Sequence, residues 1–75
     1  MTRAYILIET SVGKTRDVVS VLKGLEGIKS VDPVTGPYDI IVVVEGKDLN
    51  SMGELVTGKV HPIVGVTRTV TCLAI

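Results

Sequence analysis

The sequence predicts an α+β fold with the element order β-α-β-β-α-β, and three observations carry that prediction. First, 29 of the 75 residues are β-branched (14 Val, 7 Ile and 8 Thr), a composition that favours a pleated, half-buried sheet. Second, Ala4 to Ile8 and Ile40 to Val44 are apolar at every position, the pattern of strands with a neighbour on each side and cover on both faces. Third, two other stretches switch to the 3.6-residue period of amphipathic helices.

In chain order, the first strand runs from Arg3 to Thr10, with Ala4, Ile6 and Ile8 on one face and Tyr5 and Leu7 on the other. Ser11-Val12-Gly13 breaks it. Val18, Val21, Leu22 and Leu25 then recur at i, i+3, i+4 and i+7, a helix over about residues 14 to 25 with Gly27 as its C-terminal cap. Ile28 to Thr35 alternates weakly and contains Pro33, which lacks the N–H that a central ladder needs, so it reads as an edge strand. Thr35-Gly36-Pro37 is a turn signal, and Tyr38 to Glu45 completes a hairpin. Asp48 is an N-cap residue ahead of Leu49, Met52, Val56 and Val60, which predicts a second helix over about 48 to 60, weakened by Gly53 and Gly58 and stopped by His61-Pro62. The last strand runs from Val64 to Ile75, with Thr67, Thr69, Thr71 and Leu73 opposite Val66, Arg68, Val70 and Cys72.

That order is the split βαβ arrangement of ferredoxin-like folds. Right-handed crossovers then place the first and third strands in the middle of a four-stranded antiparallel sheet, with both helices on one face. The opposite face would leave Tyr5, Leu7 and alternate residues of Ile40 to Val44 in water. Apolar patches of that size mark interaction surfaces, which predicts a homodimer packed sheet on sheet, a dimeric α/β sandwich.

Length and charge exclude much else. At 75 residues the chain has room for a single domain, residues 1–75. Zero formal net charge and a pI near 6.5 fit poorly with the basic footprint of direct nucleic-acid binding, and without Phe or Trp only Tyr5 and Tyr38 could stack on bases. Apolar runs do not exceed five residues, far short of a membrane span, and Ala4 to Ile8 is too short for the apolar core of a signal peptide. The lone Cys72 cannot form an internal disulfide, in keeping with a reducing, cytoplasmic location.

Catalytic and metal chemistry find little to stand on. With one cysteine and one histidine, no metal cluster and no cofactor site is predicted. Gly53 to Gly58-Lys59 has the glycine spacing of a P-loop but ends in Val60 and falls within a predicted helix. The sole nucleophile and base combination is Cys72 with His61. Cys72, on the apolar face of the last strand, reads as a buried structural thiol, and His61 as an exposed loop residue or a helix C-terminal cation. The expectation is a protein that is not an enzyme.

The hairpin tip, Val34 to Ile40, is chemically richer. Thr35 supplies a hydroxyl, Gly36 an approachable backbone, Tyr38 a phenol and Asp39 a carboxylate. Main-chain N–H groups beside a glycine can meet a carboxylate, while Asp39 can accept from an ammonium, so the tip matches a zwitterion. Equally, Gly36 could serve only its own backbone conformation and Asp39 its own turn. Thr67, Thr69 and Thr71 could add hydroxyls to a pocket, or could simply be good edge-strand residues. Spacing leaves these alternatives open.

These landmarks resemble the effector-binding (RAM) domain of the Lrp/AsnC feast/famine regulators over essentially the whole chain. The resemblance is carried by Ala4-Tyr5-Ile6-Leu7-Ile8, Gly27-Ile28-Lys29-Ser30-Val31, Thr35-Gly36-Pro37-Tyr38-Asp39-Ile40, and Gly65-Val66-Thr67-Arg68-Thr69-Val70-Thr71. It implies dimers joined through their sheets, assembly into rings, commonly octamers, and amino-acid effectors bound in clefts between dimers near the hairpin. It further implies that Gly36 offers backbone contacts to the ligand carboxylate, that Asp39 of the Gly-x-x-Asp motif engages the amino group or holds the loop that does, and that Tyr38 shapes the wall. Thr69 and Thr71 match polar positions in the family's last strand and would reach the ligand from an adjacent subunit. Full-length members carry an N-terminal helix-turn-helix domain, whereas here the first strand starts at Arg3. The implied form is therefore a stand-alone sensor that acts on its own assembly or on full-length Lrp/AsnC partners without reading DNA. Competing readings are a small enzyme of the dimeric α/β-barrel type and a purely architectural ring subunit.

Overall fold

A computed structural model describes residues 2–75, in the order β1 (Thr2–Thr10), α1 (Thr15–Lys23), β2 (Ile28–Pro33), β3 (Ile40–Gly46), α2 (Leu49–Leu55), a π-helical turn (Val56–Val60) and β4 (Val66–Leu73). The four strands form one antiparallel sheet in the order β2-β3-β1-β4. The two strands that are apolar on both faces are thus the central pair, and Pro33 lies at the end of an edge strand, where its missing N–H breaks no ladder.

Alternation sorts the two faces. Ala4, Ile6 and Ile8 of β1 stand beside Val44, Val42 and Ile40 of β3, and all six are fully buried against Val18 and Leu22 of α1, Met52 of α2 and Val60. Burying each aliphatic side chain contributes about 1.5–3 kcal/mol, and a one-residue slip would turn the whole row to the other face, so this core pins the register. The opposite face carries Tyr5 and Leu7 of β1, Ile41 and Val43 of β3, and Val70 and Cys72 of β4, since directly opposed residues share a face. Among the described residues no helix covers that face.

Several boundaries are shorter than the sequence pattern predicts. Helix α1 stops at Lys23 with Gly24 as its C-cap, and its last turn tightens through Gly24 N–H to Val21 O and Leu25 N–H to Leu22 O. Gly27, expected as the cap, sits instead in the turn into β2. The second helix is not one α-helix to residue 60. Beyond Leu55 it widens into a π-helical turn closed by His61 N–H to Val56 O at 2.8 Å; β-branched Val56 and Thr57 and the flexible Gly58 weaken the tighter winding there. Asp48 caps α2 as expected, its Oδ1 accepting from Ser51 N–H at 2.8 Å, and that bond holds its carboxyl below the usual value. Strands β2 and β3 stop at Pro33 and start at Ile40, which leaves Tyr38 and Asp39 in the turn.

Strand β4 begins at Val66 and ends at Leu73, inside the expected limits, and a bulge opposite Glu9 and Thr10 takes Thr67 out of the row of threonines; its hydroxyl donates to Glu9 O at 3.1 Å. Beyond Leu73, Ala74 N–H donates to Arg3 O at 2.9 Å, so the two ends of the described chain lie together at one end of the sheet. Cys72, expected to be buried, is exposed because it shares the uncovered face with Tyr5. His61 is an exposed turn residue, as expected. Among the described residues no helix is long and apolar enough to cross a membrane.

Gly65 joins the last turn to β4 at φ +103°, and a Cβ there would lie 2.9 Å from Lys14 Cβ and 3.0 Å from Val18 Cγ2. Both the backbone conformation and the close approach to α1 demand glycine. Gly65→Ala is expected to lower the unfolding free energy by about 1–3 kcal/mol, measured by urea denaturation; an unchanged midpoint would contradict this account of the turn.

Candidate functional site

The β2–β3 hairpin closes through Val34 N–H to Asp39 O at 2.9 Å, and Asp39 N–H reaches across to Ile8 O of β1 at 2.9 Å. Within that loop Thr35, Gly36 and Pro37 are exposed, while Tyr38 and Asp39 are half-buried. Gly36 adopts φ +141°, and a Cβ built on it would meet nothing within 4 Å. The glycine is therefore required by its backbone conformation and not by crowding. The space above it stays open to an approaching group.

Asp39 is tied into the fold from a distance in sequence. Its Oδ2 accepts from Thr10 N–H at 2.8 Å and from the Thr10 hydroxyl at 3.2 Å, and Thr10 Oγ1 lies 2.7 Å from Thr15 Oγ1 at the start of α1. The carboxylate thus serves the end of β1 in place of its own turn. Among the described residues Asp39 Oδ1 accepts no hydrogen bond.

The structure gathers Thr35, Gly36, Tyr38 and Asp39 at one tip but leaves Thr69 and Thr71 elsewhere in the same chain. Those threonines pair with Ile8 and Ile6 on β4, so β1 separates them from β3. They share the helix-facing side of the sheet, where Thr71 lines a cavity of about 200 Å³ with Leu49, Met52, Val56 and Leu73 among its walls. A second cavity of about 380 Å³ lies at the opposite end of β3 from the hairpin, among Glu26, Gly27, Gly46, Leu55 and Lys59. Neither includes a hairpin residue.

On the uncovered sheet face, charges sit at the two ends of the apolar centre. Arg3 Nη2 lies 2.9 Å from Glu45 Oε2 and Lys29 Nζ 3.6 Å from Glu45 Oε1, with Arg68 and Glu9 3.7 Å apart at the other end. The hydrogen bond from Arg3 holds the Glu45 carboxyl below its usual range and raises the Arg3 guanidinium in turn. An apolar centre with a charged rim is the anatomy of a protein interface. Cys72 and His61, the nucleophile and base combination considered from sequence, do not meet: one is on this open face and the other follows the helical layer on the opposite side. No group of three or more His, Cys, Asp or Glu side chains among the described residues could hold a metal ion.

The fold is that of a small regulatory ligand-binding domain. The model of the Lrp/AsnC ligand binding domain matches residues 3–75, and the chain belongs to that family. The crystal structure of FFRP-DM1 superposes with a TM-score of 0.94 at 35% identity, covering 100% of both chains. A transcriptional regulator of Neisseria meningitidis, solved as a complex with L-Met, shares the fold with a TM-score of 0.89 at 16% identity, and this chain spans 49% of its length. Homocitrate synthase of Sulfurisphaera tokodaii is 34% identical over 61 residues, which is 81% of this chain but only 13% of that protein.

Thr10 and Thr15 were not singled out by the sequence pattern, because only the strand register brings them to Asp39. Asp39→Ala leaves the Thr10 N–H without its acceptor and is expected to lower the unfolding free energy by about 1–3 kcal/mol, whereas Asp39→Asn retains a carbonyl acceptor and loses less. Equal denaturation midpoints for wild type and Asp39→Ala would refute the anchoring role.

Proposed function

We propose that this chain is a non-enzymatic, amino-acid-sensing domain spanning residues 1–75, which pairs through its uncovered sheet face and takes its effector where dimers meet, at the β2–β3 hairpin. One observation carries the reading: in a member of a ligand-binding domain family, a half-buried carboxylate, Asp39, keeps one oxygen free of hydrogen bonds among the described residues, three residues from Gly36, where the space a side chain would fill is open. Gly36 and Thr35 meet the ligand carboxylate, Asp39 meets the ammonium, and Tyr38 forms the wall. Thr69 and Thr71 of a neighbouring subunit complete the polar lining. Their separation from the hairpin within one chain supports a site shared between copies.

The dimers assemble further, into an octameric ring, and the assembled protein acts in the cytoplasm by co-assembling with full-length Lrp/AsnC regulators. The domain's zero net charge leaves contact with DNA to those partners. A site in the micromolar to millimolar range needs about −8 to −4 kcal/mol, which a few charge-assisted hydrogen bonds at about 1.5–3 kcal/mol each supply. A second reading is favoured by the similarity to a segment of homocitrate synthase: the same sensing module serving a biosynthetic enzyme. Isolation of partners on the immobilised chain, probed for Lrp/AsnC regulators and for homocitrate synthase, separates the two.

Thermal-shift titration with each of the twenty common L-amino acids is expected to raise the melting point for a selective subset, and Asp39→Ala to weaken that binding about ten- to a hundredfold. Absence of any stabilising amino acid would overturn the reading. Leu7→Lys places a charge at the centre of the uncovered face and is expected to convert the assembly to folded monomers in native mass measurements; a surviving dimer would remove that face from the interface.

A further inference from the structure

The two oxygens of Asp39 have different surroundings, and the difference is set by one residue of another strand. We propose that Thr10 is a positioning residue for ligand recognition: it holds Asp39 Oδ2 inside the fold and thereby presents Oδ1 to the ammonium of an amino acid. The inference rests on the hairpin being the ligand site, as proposed above.

Thr10 places two donors on one oxygen, its backbone N–H at 2.8 Å and its hydroxyl at 3.2 Å. Two donors converging on Oδ2 fix the plane of the carboxylate as well as its position. A carboxylate only accepts, so the Thr10 hydroxyl proton points to Asp39, and since a hydroxyl has a single proton its oxygen must accept from Thr15 Oγ1, 2.7 Å away. The proton order is therefore Thr15 to Thr10 to Asp39. The end of β1, the first turn of α1 and the hairpin are joined by a directed chain of hydrogen bonds.

The consequence for binding is preorganisation. A half-buried Asp39 without this clamp turns about its χ2 bond and exchanges its oxygens, and a ligand must then immobilise it at a cost in affinity. With the clamp, Oδ1 is the oxygen that no donor among the described residues occupies, and three residues earlier Gly36 leaves open space where a side chain would stand. The arrangement selects ligands that carry an ammonium.

Asp39→Asn separates holding from recognition. The Thr10 N–H requires an oxygen opposite it, so the new amide turns its NH₂ to the outer position, where it faces the ligand ammonium donor to donor. This variant is expected to fold and to lose amino-acid binding at least about tenfold. Thr10→Val keeps the backbone N–H and removes the hydroxyl.

The deciding experiment is calorimetric titration of the full chain with the tightest-binding of the twenty L-amino acids and with its desamino analogue, which has hydrogen in place of the ammonium. Thr10→Val is expected to weaken the amino acid about three- to tenfold, to leave the analogue unchanged, and to be rescued by Thr10→Ser. Thr15→Val, which removes the donor behind Thr10, should give a smaller loss with the same dependence on the ammonium and stands in if Thr10→Val does not fold. Undiminished affinity in Thr10→Val, or equal losses for both probes, with Asp39→Ala still weakening binding at least about tenfold, overturns the role of Thr10 and leaves the hairpin site standing. If no amino acid binds wild type, or if Asp39→Ala and Asp39→Asn both bind normally, the hairpin site itself fails and this inference with it.

Discussion

Two neighbouring strands that are apolar on both sides dominate this molecule. Because β1 and β3 lie side by side, their inward residues form one continuous row of six fully buried aliphatic side chains beneath the helices. The same pleat turns Tyr5, Leu7, Ile41 and Val43 the other way. A helical layer on one face satisfies only half of that apolar surface, and the charged pairs at Arg3–Glu45 and Glu9–Arg68 frame what is left. A core of this size in a 75-residue chain gives modest stability by itself, so burying the second face would add to the stability of the fold.

The hairpin borrows its rigidity from the same central strand. Ile8 of β1 is buried and accepts the Asp39 N–H through its carbonyl, and Thr10, two residues on, clamps the carboxylate. A loop tip rich in exposed residues is thereby anchored to a central, well-buried strand. The bonds are long-range in sequence, 29 residues from Thr10 to Asp39, so the tip takes its shape only once the sheet has formed.

Elements whose signals are local were legible in the sequence. The alternation in β1 and β3, the helix carrying Val18 and Leu22, the edge position implied by Pro33 and the Asp48 cap all report on near neighbours, and each has its counterpart in the structure, although Val21 is exposed and Leu25 falls beyond the helix end. What was less legible depends on partners far along the chain. The early end of α1 at Gly24 and the π-helical winding after Leu55 are closed by backbone bonds, Gly24 N–H to Val21 O and His61 N–H to Val56 O, that the hydrophobic period does not announce. Exposure of Cys72 follows from which face the helices choose, which alternation alone does not say. At the candidate site the hairpin residues stood out by chemistry, while Thr10 and Thr15 did not, since a threonine at a strand end carries no mark of the carboxylate it will meet.

The pairing of Ala74 with Arg3 has an architectural consequence. With both ends of the described chain at the same end of the sheet, such a unit can be tethered to a larger protein through a short linker on either side. A unit of that kind can be carried within a longer chain, as the similarity to 13% of a larger enzyme illustrates.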